Sequence, residues 1–138
     1  MSSLGAQLSQ QRPWITWEEV KDMAQHNISF GSHTHNHVIL TNTSTKHALE
    51  EIVSSKNILS EQIGVPVTLF SYPNGNYNSK VMTMLKAQGF EIAVTTQSGP
   101  INKSDNLLAL RRFMIHNDMT NTIPMLAYRL AHRISLSH

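Results

Sequence analysis

Cysteine is absent from this chain. That excludes disulfides, thiolate metal sites and a cysteine nucleophile, and it leaves the redox compartment unread. No apolar run approaches the roughly 20 residues a helix needs to cross a bilayer, so a helical membrane span is excluded. Charge is scarce as well: Asp, Glu, Lys and Arg together make up 14% of the sequence. Eleven basic against nine acidic residues leave a formal charge of +2, too slight a surplus to mark a nucleic-acid binder. Glycine and proline are sparse and 40% of residues are hydrophobic, which excludes both a disordered and a collagenous chain. What stands out against these shortages is histidine, with eight among 138 residues. Without thiolates, any metal site must be built from those imidazoles and from carboxylates.

The length suits one domain. Residues 1–13 read as a flexible leader, polar and without the basic-then-apolar pattern of a secretory signal, and residues 14–138 as the domain. A first helix is expected from about Trp17 to His26. Thr16 and Glu19 form a capping box in front of it, and Asn27 ends it. Ile28 to Phe30 reads as a short strand stopping at Gly31. A second helix, opened by the caps of Thr41 to Thr45, carries Leu49, Ile52, Val53, Leu59 and Ile63 near helical spacing and stops at Gly64 and Pro66. Val67 to Tyr72 is a second strand with Pro73-Asn74-Gly75 as its turn. Asn78 caps a third helix through Gln88. Glu91 to Thr95 and Leu108 to Ile115 read as further strands, and Ile123 to Leu136 as a last helix.

Helices alternating with strands point to parallel βαβ units. A closed (β/α)₈ barrel takes about 250 residues, so this chain can hold about half of one. In such folds the loops leaving the carboxyl ends of the strands carry the chemistry. Those loops are His33-Thr34-His35-Asn36-His37, Tyr72-Pro73-Asn74-Gly75, Thr95-Thr96-Gln97 and His116-Asn117-Asp118. If the sheet is parallel, they converge on one rim. His33 and His37 can face one point if their loop makes a helical turn, whereas all three histidines would share a face only in an extended segment. Neutral imidazoles suit zinc or a similar divalent metal, and catalytic zinc typically takes three protein ligands. The spacing does not fit the His-x-His-x-Asp-His pattern of metallo-β-lactamase-like hydrolases.

The combination of Ile15-Thr-Trp-Glu-Glu-Val20, Ile28-Ser-Phe-Gly-Ser-His33-Thr-His-Asn-His37, Leu40-Thr41 and Leu69-Phe-Ser-Tyr-Pro-Asn-Gly75 resembles the polysaccharide deacetylases, carbohydrate esterase family four with its NodB homology domain. The likeness runs from about Trp14 to Phe113. It implies an α/β fold, here an incomplete (β/α) barrel of the polysaccharide deacetylase type with about four mostly parallel strands and flanking helices. The family's second motif, His-Ser/Thr-x-x-His, falls on His33, Thr34 and His37. The resemblance makes the two histidines metal ligands, usually for zinc, and Thr34 a loop support, with His35 structural. The family's proline-containing turn falls on Tyr72 and Pro73 as walls of the substrate groove, with the Asn74 backbone amide as oxyanion donor. Met114-Ile-His116 echoes the final motif and makes His116 the general acid.

The turn departs from its commonest family form, which has Arg where Ser71 stands and Tyr where Asn74 stands, and is closer to a Tyr-Pro-x-Gly variant. The first family motif, Thr-Phe-Asp-Asp, supplies the catalytic base and third metal ligand, and it has no counterpart before His33. The only Asp there is Asp22, inside the first helix. Read this way, the chain corresponds to the later part of a deacetylase acting on N-acetyl groups of an amino-sugar polymer. It is expected to be weakly active or inactive alone. A homo-oligomer is expected to cover the open edge. Two other readings compete. One is a non-catalytic carbohydrate binder using Trp14, Trp17, Tyr72 and Tyr77. The other is a basic last helix, with Arg129, His132 and Arg133 meeting a membrane surface or nucleic acid. Localisation is not readable, since members of this family are commonly exported.

Overall fold

A computed structural model describes residues 14–116 and 121–134, with the side chains of 129–134 left out. Among the described residues, four α-helices alternate with short extended segments. They are α1 (Trp17–Gln25), α2 (Thr45–Ile63), α3 (Ser79–Ala87) and α4 (Ile123–Ile134). Two strands, β1 (Leu69–Ser71) and β2 (Ile92–Val94), lie between them, and single 3₁₀ turns occupy Leu40–Asn42, Pro73–Gly75 and Leu107–Ala109. The helix starts are local chemistry. Thr16 and Glu19 close the expected capping box on α1, Ser44 accepts from the His47 amide at α2, and Asn78 accepts from the Val81 amide at α3. Each satisfies a backbone donor that the first turn would leave unpaired. Gly64 stops α2 in the left-handed region, φ 73°, where a residue without a Cβ fits at no steric cost.

β1 and β2 pair in parallel, Leu69 opposite Ile92, Phe70 opposite Ala93 and Ser71 opposite Val94. Single parallel bridges extend the pair on both sides, Ser32 to Phe70 and Val94 to Leu110. Four chain segments therefore lie side by side in sequence order. They are joined by Ser32 N–H to Leu69 O, Ser71 N–H to Ser32 O, Leu110 N–H to Ala93 O and Thr95 N–H to Leu110 O, each at 2.8–2.9 Å. Parallel pairing is as expected, but the two outer segments are not strands. Ile28 to Phe30 stays outside the ladder, and contact begins only at Ser32. On the far side, the Asn106 side chain accepts from the Leu108 amide at 2.9 Å and winds Leu107–Ala109 into a 3₁₀ turn. The chain straightens only at Leu110. The described residues thus form an open parallel arrangement, with no closed barrel.

Both strands alternate half-buried, buried, half-buried. Phe70 and Ala93 face a core shared with Leu40, Ala48 and Ile52 around α2 and with Val81 and Leu85 on α3. Phe70 is edge-on to Tyr72 and to Phe90, each at 5.3 Å between ring centres. Within α2 the buried positions are Ala48, Glu51 and Ile52; Leu49, expected on the apolar face, is exposed. Residues on the opposite face of the strands, Leu69, Ser71, Ile92 and Val94, are only half-covered. Among the described residues no helix is long and apolar enough to cross a membrane. The leader 1–13, Asp118 and His138 lie outside the described residues, as do the side chains of Arg129, His132 and Arg133.

Candidate active site

The segment that bridges β1 at Ser32 turns immediately into the histidine loop. Thr34 and His37 both take positive φ, 66° and 57°, a region that residues bearing a Cβ seldom occupy. The two reversals fold the loop back on itself. The rings of His33 and His37 thereby meet edge to face, 4.8 Å between centres and 72° between planes. His35 and Asn36, between them, point their backbone amides at Glu51 of α2, at 3.0 and 2.7 Å. The loop is neither the helical turn nor the extended run considered for it: the positive φ values at Thr34 and His37 bring the two rings together by a different route.

His33 Nδ1 lies 2.7 Å from the carbonyl oxygen of Ser71. A carbonyl can only accept, so Nδ1 carries the hydrogen, and in the neutral ring Nε2 keeps its lone pair. This arrangement, a ring N–H held by a backbone carbonyl, is what orients metal-binding imidazoles. The donor chemistry therefore suits a divalent metal at His33 Nε2, with the His37 ring beside it as a second imidazole. Among the described residues no group of three or more His, Cys, Asp or Glu is placed to hold such an ion.

The second loop is anchored to the third. In the Pro73–Gly75 turn Asn74 has φ 55° and Gly75 φ 76°. The Thr96 hydroxyl donates to the Asn74 carbonyl at 3.3 Å. A Cβ at Gly75 would stand 2.1 Å from Thr96 Oγ1 and 2.6 Å from its backbone nitrogen, so this close approach requires glycine. The third loop is tied to the fourth segment by Arg112 N–H to Gln97 O at 2.9 Å. The four segments are thus linked in series at one end of the sheet. His116 lies four residues past Arg112 and is exposed.

Several residues occupy places the sequence reading did not foresee. Tyr72 is 1% exposed, and its hydroxyl donates to the Leu108 carbonyl at 2.7 Å. Burial, with the neighbouring Tyr77, pushes its phenol well above the ordinary tyrosine range. Pro73 is also fully buried. The alternation of β1 puts residue 72 on the same side as Phe70, so its ring packs in the core instead of walling an open groove. Thr34, assigned as loop support, has a buried hydroxyl with no hydrogen-bond partner among the described residues. The support comes from Glu51, which in the sequence is one more polar position on a helix. Arg111 approaches Asp105 at 4.0 Å. Trp14 and Trp17 are both exposed.

A parallel α/β sheet thus carries a paired-histidine loop beside a prolyl turn, as the resemblance to the deacetylases implies. Sequence comparison agrees: the polysaccharide deacetylase family profile matches residues 4–93, and the chain belongs to that family. It is 31% identical over 108 residues to YxkH of Bacillus subtilis, assigned to the polysaccharide deacetylases, covering 78% of this chain and 39% of that protein. Among solved structures, the Streptococcus pyogenes deacetylase PplD in complex with acetate superposes with a TM-score of 0.77 at 28% identity, over 84% of this chain and 50% of that one. A Bacillus cereus polysaccharide deacetylase gives a TM-score of 0.72 at 32% identity, over 83% of this chain and 36% of that one. The chain therefore spans between about a third and a half of these relatives.

Proposed function

We propose that this chain supplies part of the active site of a metal-dependent deacetylase that removes N-acetyl groups from an amino-sugar polymer, with His33 and His37 as its metal ligands. The observation that carries the reading is the His33–Ser71 hydrogen bond. It fixes the tautomer that leaves Nε2 available, and it does so from the residue two before the prolyl turn. A bound divalent metal, zinc by family, would supply Lewis acidity and a nucleophilic water at neutral pH. The chain's own residues orient and bind. His33 and His37 present imidazole nitrogens from one folded loop, and the Asn74 amide, on a turn held by Thr96, is the candidate oxyanion donor. His116 is the candidate proton donor to the leaving amine. No Asp of this sequence stands in a Thr-Phe-Asp-Asp context. We therefore expect weak zinc affinity and little or no acetate release by this polypeptide alone.

The test is competition of zinc against a chromophoric chelator for wild type, His33→Ala and His37→Ala. Loss of binding in both variants supports the assignment; wild-type binding in either removes it. A second reading, a saccharide-binding protein without the chemistry, draws on the two-ligand limit among the described residues. Oligosaccharide binding that survives both substitutions would select it. We also propose that copies of the chain associate through uncovered apolar surface, since Trp14, Ile115, Ile123 and Tyr128 are all exposed. Light scattering giving a dimer or larger species supports this, and a monodisperse monomer overturns it.

A further inference from the structure

Glu51 is an acidic residue in the interior of α2, 3% exposed. Burying a carboxylate is unfavourable unless its oxygens are hydrogen-bonded. Here the hydrogen-bond donors come from the histidine loop. Oε2 accepts the amides of Asn36 at 2.7 Å and His35 at 3.0 Å, and Oε1 accepts the Asn36 side-chain amide at 2.7 Å. With its oxygens taken by N–H donors and shielded from water, this carboxylate is poorly placed to ligate a metal or take a proton from substrate. What it can do is hold. The loop between the two histidines has positive φ at Thr34 and at His37, an unfavourable backbone that persists only where its surroundings impose it. One helical turn further along the same face of α2, the Ser55 hydroxyl donates to the Glu51 and Ile52 carbonyls at 2.9 and 3.1 Å. It lies 2.7 Å from the hydroxyl of Ser32, the residue immediately before His33. Two positions four apart on one helix face, 51 and 55, thus grip the chain on both sides of His33.

The geometry points to Glu51 as a positioning residue: through the amides of His35 and Asn36 it sets the mutual orientation of the His33 and His37 rings, with the Ser55–Ser32 contact as the second anchor. This rests on the reading of His33 and His37 as metal ligands. Partners one step behind the ligands typically change metal affinity by about 10–100-fold when removed. The Glu51→Gln change keeps one carbonyl oxygen for the two backbone amides, and a reversed Asn36 side chain can meet the new NH₂. The Glu51→Ala change leaves the loop no acceptor at all.

The experiment compares wild type, Glu51→Ala, Glu51→Gln and His33→Ala in three measurements. These are zinc affinity against a chromophoric chelator, hydrogen exchange at the His35 and Asn36 amides, and helix content by circular dichroism. The expected result is a loss of about 10–100-fold in zinc affinity for Glu51→Ala with fast exchange at both amides, unchanged helix content, and a smaller loss on both counts for Glu51→Gln. Should the alanine variant not fold, Glu51→Gln carries the comparison, and an affinity and protection equal to wild type overturn the proposal. So does a folded Glu51→Ala with wild-type affinity, or one that loses affinity while both amides stay protected. If wild-type zinc binding is indifferent to His33→Ala, the ligand assignment fails, and amide exchange in zinc-free protein still decides whether Glu51 holds the loop.

Discussion

His33 donates through Nδ1 to the carbonyl oxygen of Ser71 across 2.7 Å and 38 positions of sequence. The bond joins the histidine loop to the end of β1, so the imidazole direction is set by the same backbone that leads into Pro73. Because the acceptor is a carbonyl, only one neutral tautomer is compatible with it. Nitrogen-15 spectra of the neutral ring are expected to show protonated Nδ1 and bare Nε2 for His33. A predominantly Nε2–H ring would remove the geometric basis of the metal assignment.

Gly75→Ala is expected to destabilise the fold by about 1–3 kcal/mol, the usual range for forcing atoms into a filled space. The added Cβ would meet both the side chain and the backbone nitrogen of Thr96, and the positive φ adds its own cost. Trimming the neighbour in Gly75→Ala/Thr96→Gly should recover only part, because the backbone nitrogen stays. Urea unfolding midpoints give the comparison; a double variant as stable as wild type would contradict this account.

Tyr72→Phe removes a buried hydroxyl and leaves the Leu108 carbonyl without that donor. A loss of about 1–3 kcal/mol is expected, visible as a lowered thermal midpoint. Because the ring is internal, zinc binding should be unaffected by this change. Altered zinc affinity in a well-folded Tyr72→Phe would return the side chain to the site.

The Glu51 carboxyl gives a pH signature. Burial by itself pushes it up, but the hydrogen bonds from the Asn36 backbone and side chain and the His35 amide, with His47 nearby, outweigh that and hold it below the ordinary carboxylate value. The titratable group facing it is His47, at 4.0 Å and itself beside Glu50. The folded state binds this proton more weakly than the unfolded state. The stabilisation is therefore complete above the ordinary carboxyl pKa of about 4.3 and disappears as pH falls through the lower folded-state value. The stability gap between wild type and Glu51→Gln should be widest near neutrality and narrow on acidification below about pH 4. A gap that widens on acidification would show the sign to be wrong.

Local chemistry decided a good deal in advance. Thr16, Ser44 and Asn78 start helices because a side-chain oxygen next to an unpaired amide satisfies it wherever it occurs, and Gly64 ends one because only its own backbone angles matter. The centres of β1 and β2 and the Pro73 turn were readable for the same reason: each depends on residues a few positions apart. Tertiary structure alone settled the rest. Glu51 looks like a solvated helix position until a loop 15 residues earlier brings its amides to it. Tyr72 looks like a groove wall until the register of β1 turns it toward α2 and α3. Ile28 to Phe30 and Leu108 to Ile115 carry strand-forming residues, yet the chain around them meets the sheet only at single bridges. Which face of an element is buried, and what holds a strained loop, are properties of contacts between distant segments, and no local pattern of residue types encodes them.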